Sequence, residues 1–133
     1  MYRPMMKPQG TVLLYNLDNA KGQKIRLLCA GLKLRVRTVE KHEYGLPLAA
    51  LLGHSPQGAV SGGKAAGPGD FSDEMLVMAG LTGPALDRFL EGFKTLMIPR
   101  VALKAVVTPT NMTWNSLSLH RELVREHMQM HSS

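Results

Sequence analysis

Two short segments of this chain are apolar on both faces of an extended backbone, and they constrain its fold more than any other feature. They are Thr11 to Leu17, which reads TVLLYNL, and Glu74 to Leu81, which reads EMLVMAGL. A strand that is apolar on both sides has to be covered on both sides, because either face left open would expose apolar surface to water. We therefore expect both segments to be central strands of a sheet in a layered domain.

Each of these two segments is followed by a helix-like segment and then by a second strand-like segment. The alternating stretch Leu34 to Glu40 is typical of a half-buried edge strand, and Val101 to Thr108 is expected to be the fourth strand. Thr82 can cap the second helix, Pro99 is expected to end it, and Asn115 or Thr113 is expected to cap a C-terminal helix. The residues predicted to form the buried helix stripes are Ile25, Leu28, Cys29 and Leu32 in the first helix, and Leu86, Phe89, Leu90, Phe93 and Met97 in the second.

The resulting order is β-α-β, a long loop, β-α-β and a C-terminal helix. It predicts an α+β fold of the ferredoxin-like, split βαβ kind, with the first and third strands at the centre of the sheet. A small doubly wound α/β sheet is the alternative, provided that the apolar segment before Gly53 supplies a crossover helix. We expect a single domain over residues 11–128 between flexible tails at 1–10 and 129–133, with a mobile Gly-rich loop at 54–70.

Composition, apolar runs and cysteine content together predict the cellular location of the protein. The chain of 133 residues is 44% hydrophobic and 20% charged, which is typical of a folded globular protein. No apolar run approaches the roughly 18 residues that a membrane span needs, so no membrane partner is expected. The N-terminus MYRPMMKPQG lacks the apolar core of a signal peptide, and the single cysteine, Cys29, cannot form an internal disulfide. These features together predict a cytoplasmic protein.

The formal charge of +6 raises the possibility of a polyanionic partner. Much of the excess lies between residues 21 and 41, where Glu40 is the only acidic residue. A solvated helix face and a charged edge strand explain this run best, because the aromatic residues of a base-stacking surface are missing. A nucleic-acid or ribosome-associated surface is the alternative. Its residues would be Lys21, Lys24, Arg26, Lys33, Arg35, Arg37 and Lys41.

Three patterns that resemble catalytic or metal sites are incomplete. The segment GAVSGGK, Gly58 to Lys64, begins like a phosphate-binding loop, but Ala65 has no hydroxyl to hold Mg²⁺. His127 and His131 have helical metal spacing without a third ligand at a supporting interval. No nucleophile–base or acid–base pair stands at a recognisable spacing, so the sequence leans against an enzyme and predicts no catalytic residue, metal or cofactor.

The polar turn after the fourth strand is the best candidate for a ligand site. Thr108, Thr110 and Asn111 surround Pro109, and short polar side chains of this kind either bind a ligand or bind the local backbone. Lys104 stands among apolar residues of the preceding strand and can direct its amine at an anionic group. We expect these residues, with Lys64 from the long loop, to form an anion site.

The segment EMLVMAGL, the helix after it, LKAVVTPTNMTW and the terminal REL–EH helix resemble a family of small bacterial proteins described as a domain of unknown function. The most specific part of the resemblance is the T-P-T-N-x-x-W block, Thr108 to Trp114. The resemblance implies no activity and no catalytic residues. The sequence therefore favours a non-catalytic regulatory or anionic-ligand-binding protein. It also favours a homo-oligomer, because one layer of helices cannot cover strands that are apolar on both faces.

Overall fold

The two central strands of the sheet are the two segments that are apolar on both faces. A computed structural model describes residues 10–53 and 70–130 of the chain. In it, β1 (Thr11–Tyr15) and β3 (Met75–Ala79) pair antiparallel, with Leu13 opposite Val77. Every residue of β3 is buried, and so is every residue of β1 after Thr11. The predicted central position of both strands is confirmed.

Two short parallel strands flank this pair. Strand β2 (Arg35–Thr38) pairs parallel with β1, and β4 (Leu103–Val106) pairs parallel with β3, which gives the order β2-β1-β3-β4. The predicted α+β class is confirmed. The two strands of each βαβ unit are neighbours in the sheet. In a split βαβ unit, another strand lies between them. The antiparallel central pair distinguishes the sheet from the doubly wound parallel alternative.

The helices α1 (Ala20–Gly31) and α3 (Gly83–Thr95) cover one face of the sheet. Both begin at a side-chain cap: Asn19 accepts a hydrogen bond of 2.9 Å from the Gly22 amide, and Thr82 accepts one of 3.2 Å from the Ala85 amide. The core beneath them joins alternate residues of the central strands to the inner faces of both helices. Its members include Val12, Leu14, Leu76, Met78, Ile25, Leu28, Cys29 and Phe89.

The end of α3 differs from the sequence prediction. The helix ends at Thr95, and Met97 adopts a left-handed backbone with φ of 56°. Ile98 then donates its amide to the Phe93 carbonyl at 2.8 Å, which closes the helix end and buries the Ile98 side chain. The prediction that Pro99 ends the helix and that Met97 is buried is wrong, since Met97 is 80% exposed. Leu90, which was also predicted to be buried, is exposed.

The other face of the sheet is covered by the 3-10 helix Lys41–Glu43, by the short helix α2 (Leu48–Leu51) and by α4 (Ser116–Met130). Asn115 caps α4, accepting a 2.8 Å hydrogen bond from the Ser118 amide. The second core cluster lies here and includes Leu13, Tyr15, Tyr44, Leu48, Phe71, Met75, Val77 and Leu119. Because helices of the same chain cover both faces, the sheet has no open face that a second copy would have to cover. The homo-oligomer stays a prediction.

Several predictions concern residues outside the described ranges. They are the tail before Gly10, the loop at 54–70 apart from Asp70, and the tail after Met130. Helix α4 continues as far as Met130, two residues beyond the predicted domain limit of 128. Among the described residues, no helix combines the length and the apolar character that crossing a membrane requires.

Candidate functional site

The polar turn after β4 is held together by its own side chains. The Thr108 amide donates to Asn111 Oδ1 at 2.8 Å, and the Asn111 amide donates to Thr108 Oγ1 at 3.2 Å. Asn111 Nδ2 also donates to the Val106 carbonyl at 3.2 Å. These reciprocal bonds fix the backbone of the turn, whereas Thr110 is exposed and faces water. The turn therefore uses the polar atoms of Thr108 and Asn111 for its own geometry.

The same turn joins β4 to the layer that contains α4. The carbonyls of Met112 and Trp114 accept the Ala49 and Leu48 amides at 2.9 and 2.8 Å, which ties the turn to the start of α2. The Trp114 side chain is half-buried and packs against the second core cluster. The turn thus places Trp114 and starts α4.

Lys104 lies on the opposite face of the sheet. It stands opposite Leu76 in the register, and Leu76 belongs to the core under α1 and α3. Its amine donates to the Val101 carbonyl at 2.9 Å. Burial lowers the pKa of the Lys104 amine below its usual value, and the neighbouring Arg100 guanidinium lowers it further.

The structure therefore separates Lys104 from the turn residues. Lys104 stands near the start of β4 and faces α3, whereas Thr108 to Asn111 follow the end of β4 and lead to α2 and α4. The length of β4 and the turn after it explain the division, because Thr108 to Asn111 lie beyond the last strand residue, Val106, where the chain leaves the sheet. Lys64, the remaining residue of the predicted anion site, lies outside the described residues.

Lys104 contributes instead to a groove between α3 and the start of β4, which we call the Lys104 groove. It encloses about 480 Å³. Its apolar part is formed by Leu90, Phe93, Ile98 and Val101, and its cations are Lys94, Arg100 and Lys104. No carboxylate lines the groove within the described part of the chain, and none of the three cations takes part in an ion pair there.

Sequence reasoning missed Lys94 and Arg100. Both lie beside the end of α3, where the left-handed Met97 turns the chain back toward the sheet. A signal was present, because three cations fall within eleven positions around a helix end. Lys94, Arg100 and Lys104 come together only because of the turn at Met97. The sequence prediction placed the helix end at Pro99 and therefore did not include this turn.

Four of the seven basic residues in the run from 21 to 41 are engaged by other groups of the chain. Lys21 pairs with Glu74 at 2.5 Å and also donates to the Arg100 carbonyl at 3.1 Å. Lys41 donates to the Phe71 carbonyl at 2.9 Å. Two more are engaged within the chain: Arg26 with Thr38, and Arg37 with Glu43 and the Leu51 carbonyl. The exposed residues Lys24, Lys33 and Arg35 remain, and the nucleic-acid hypothesis stays a prediction.

A second polar cluster, which the sequence did not reveal, joins the segment before β3 to α4. The His120 ring stacks on Phe71 with a centroid separation of 3.9 Å, and its Nε2 lies 2.8 Å from Asp73 Oδ2. On the buried side, Tyr15 and Tyr44 complete the aromatic cluster around Phe71. This cluster anchors the chain entering β3, and it gives Asp73 a partner on α4.

The remaining candidate groups are structural where they can be described. Cys29 is fully buried, and burial raises the pKa of its thiol to about 12, which is the reverse of what a catalytic thiolate needs. His131 lies outside the described residues. Within residues 10–53 and 70–130, no group of three or more His, Cys, Asp or Glu side chains is placed to hold a metal ion.

Comparison with known protein families gives a match to one segment of the chain. Residues 74–130 match the family described as domain of unknown function (DUF3783). The match runs from the residue before β3 to the end of α4, so it contains the whole Lys104 groove and the turn after β4. The predicted resemblance to a domain-of-unknown-function family is confirmed over this segment. No curated protein and no solved structure matches the chain.

Proposed function

We propose that this chain, whose residues 74–130 form a domain of unknown function, binds a small organic anion with an apolar body in the Lys104 groove. The observation that carries the proposal is the position of the Lys104 amine. It is half-buried beside an apolar wall, and none of the described residues brings a carboxylate to the groove to neutralise it. Removing a cation partly from water without an opposite charge is unfavourable, and a bound anion would offset that cost.

The groove is suited to a ligand with two chemically distinct ends. Phe93, Ile98 and Val101 offer apolar surface, on which a hydrocarbon or aromatic group would be shielded from water. Burial is the main reason why the pKa of the Lys104 amine is lowered, and repulsion from the Arg100 guanidinium at the same groove lowers it further. A carboxylate or phosphate between them would relieve that repulsion and accept hydrogen bonds from both.

The proposed role is binding without catalysis, with regulation through the bound ligand. The three cations of the groove can hold and orient an anion, but the described lining of the groove contains no nucleophile or general base beside them. A cytoplasmic location is part of the proposal, and the single buried Cys29 suits it. The proposal needs one copy of the chain, because every residue of the groove comes from α3, β4 and the segment between them.

Isothermal titration calorimetry with octanoate, octanol and octylammonium tests the proposal, since the three share an apolar chain and differ in charge. We expect saturable binding of octanoate only, weakened about tenfold or more in Lys104→Met, which removes the charge at similar length. Lys33→Met is the matched control, because Lys33 is exposed and does not line the groove. Equal affinity for octanol, or an unchanged affinity in Lys104→Met, would contradict the proposal.

A further inference from the structure

A second cavity, of about 380 Å³, lies at the carboxyl ends of the parallel strands β1 and β2. We call it the strand-end cavity. Its wall is formed by residues 16–18 after β1, by residues 38–42 at and after the end of β2, and by Tyr44. The carboxyl ends of adjacent parallel strands are where open sheets that contain them usually bind ligands. The Tyr44 side chain adds a buried polar group at this position.

The hydroxyl of Tyr44 is buried and has no hydrogen-bond partner among the described residues. The residue as a whole is 1% exposed. The other buried tyrosine, Tyr15, has its hydroxyl 2.7 Å from Ser116 Oγ, so only one of the pair is unpaired. A buried polar group without a partner is destabilising and is rare in native proteins. The Tyr44 hydroxyl is therefore equipped to bind something that enters the cavity.

The neighbours of this hydroxyl leave it free to act as a donor. The Asn16 side chain lies beside it and also lines the cavity, but the Asn16 amide donates to the Phe71 and Asp73 carbonyls at 3.0 and 2.9 Å. Burial raises the pKa of the Tyr44 phenol, and Asn16 offsets this only in part. The phenol is thus neutral at physiological pH, and its proton is available to an acceptor oxygen.

The charges around the cavity favour a neutral ligand over an anion. Lys41 is already engaged, since its amine donates to the Phe71 carbonyl and lies 3.9 Å from Asp70 Oδ2. Asp18 and Glu40 bring two carboxylates to the wall. Glu40 also accepts a backbone hydrogen bond from Glu43, but a carboxylate can accept several at once. Tyr44 thus offers this cavity a hydrogen-bond donor, and Asp18 and Glu40 offer it acceptors.

We propose that the strand-end cavity binds a neutral polyol of pentose size, either as the free sugar or as the sugar of a nucleoside. One hydroxyl accepts the Tyr44 proton at the dry end, where an ionised group would lose its hydration without a counter-charge. Neighbouring hydroxyls donate to Asp18 and Glu40. The proposal is independent of the Lys104 groove, which is formed by other residues.

Nuclear magnetic resonance titration of the ¹⁵N-labelled full chain tests this, with D-ribose, adenosine and inorganic phosphate as separate probes. We expect saturable shifts of the amides at residues 16–18 and 38–41 with ribose and adenosine, and none with phosphate. Shifts with ribose alone would identify the free sugar as the source, and tighter binding of adenosine would identify a nucleoside. The absence of saturable shifts with both sugars, or their appearance with phosphate alone, would overturn the proposal.

Tyr44→Phe and Tyr15→Phe form a matched pair for the same titration. We expect Tyr44→Phe to weaken ribose binding about tenfold or more while the melting temperature stays the same or rises, because its hydroxyl has no partner to lose. Tyr15→Phe should lower the melting temperature and leave binding unchanged. Equal destabilisation by both variants, or wild-type affinity in Tyr44→Phe, would overturn the proposal. If Tyr44→Phe does not fold, Asp18→Asn replaces it, and undiminished binding in that variant counts equally against the proposal.

Discussion

The hydroxyl of Tyr15 lies 2.7 Å from Ser116 Oγ, which joins the last residue of β1 to the first residue of α4 inside the core. Both residues are fully buried, and 101 positions separate them in the sequence. We predict that Ser116→Ala lowers the free energy of unfolding by about 1–3 kcal/mol, because the Tyr15 hydroxyl is left buried without a partner. Urea denaturation followed by circular dichroism measures the change.

The double variant Tyr15→Phe, Ser116→Ala separates this hydrogen bond from the packing of the two side chains. Removing both polar groups leaves nothing unsatisfied, so we expect it to regain much of the stability lost in Ser116→Ala. Ser72→Ala, at an exposed position, is the control and should be neutral. A double variant that loses the sum of the two single effects would show that the bond itself is unimportant.

Two glycines of α1 should respond in opposite ways to the same substitution. A Cβ on Gly22 would stand 1.6 Å from the Leu17 carbonyl oxygen, so Gly22→Ala has to displace backbone, and we expect it to cost about 3 kcal/mol or more. A Cβ on Gly31 would meet nothing within 4 Å, so Gly31→Ala should be neutral or stabilise by about 0.5–1 kcal/mol. Thermal unfolding of the two variants side by side measures the difference, and equal effects would contradict the close approach of α1 to Leu17.

The lowered pKa of Lys104 makes the stability of the folded chain depend on pH. The unfolded chain holds the lysine proton up to a pKa near 10.5, whereas the folded chain releases it at lower pH. Between the two values the unfolded state binds more protons, so stability rises with pH across that window. We predict that wild type gains stability relative to Lys104→Met as pH rises from neutral to 10.5.

Urea denaturation of the two proteins at matched pH values measures that gain, because other titrating groups cancel in the difference. Lys33→Met, at an exposed position, should show no such trend relative to wild type. A difference between wild type and Lys104→Met that stays constant across the window would contradict the burial of the Lys104 amine. An octanoate ligand should reverse the trend, since an anion stabilises the charged form.

The thiol of Cys29 should resist modification in the folded protein. It is fully buried, and burial raises its pKa to about 12, so neither access nor thiolate is available at pH 8. We predict that a disulfide reagent such as dithionitrobenzoate reacts with wild type only after denaturant is added, whereas Ser72→Cys reacts once at the exposed position without denaturant. Rapid labelling of folded wild type would place Cys29 at an accessible site.

The parts of the fold that depend on local sequence could be predicted, and the parts that depend on long-range packing could not. The apolar character of β1 and β3 identified the central strands, and Thr82 and Asn115 cap the helices that they were expected to cap. The direct pairing within each βαβ unit depends on how the two halves pack, which no local pattern encodes. The turn at Met97 was missed because a left-handed methionine leaves no sequence signal.

In the candidate sites, too, local sequence features could be predicted and features that depend on long-range packing could not. Lys104 was recognisable as a charged residue in an apolar strand, but Arg100 and Lys94 join it only after α3 turns back toward the sheet. Asn111 looked available from the sequence, and the folded turn uses its side chain. The unpaired hydroxyl of Tyr44 could not be foreseen, since its lack of a partner is a property of the packed core.

The antiparallel pairing of β1 with β3 places the last residue of β1 next to the first residue of β3. Tyr15 stands opposite Met75, and Met75 stands opposite Leu103, so the end of β1 and the starts of β3 and β4 lie at the same end of the sheet. Lys21, in the first turn of α1, donates hydrogen bonds to the Glu74 carboxylate and to the Arg100 carbonyl at this end of the sheet. The position of α1 and the backbone position of Arg100 are therefore tied to each other through the side chain of one lysine.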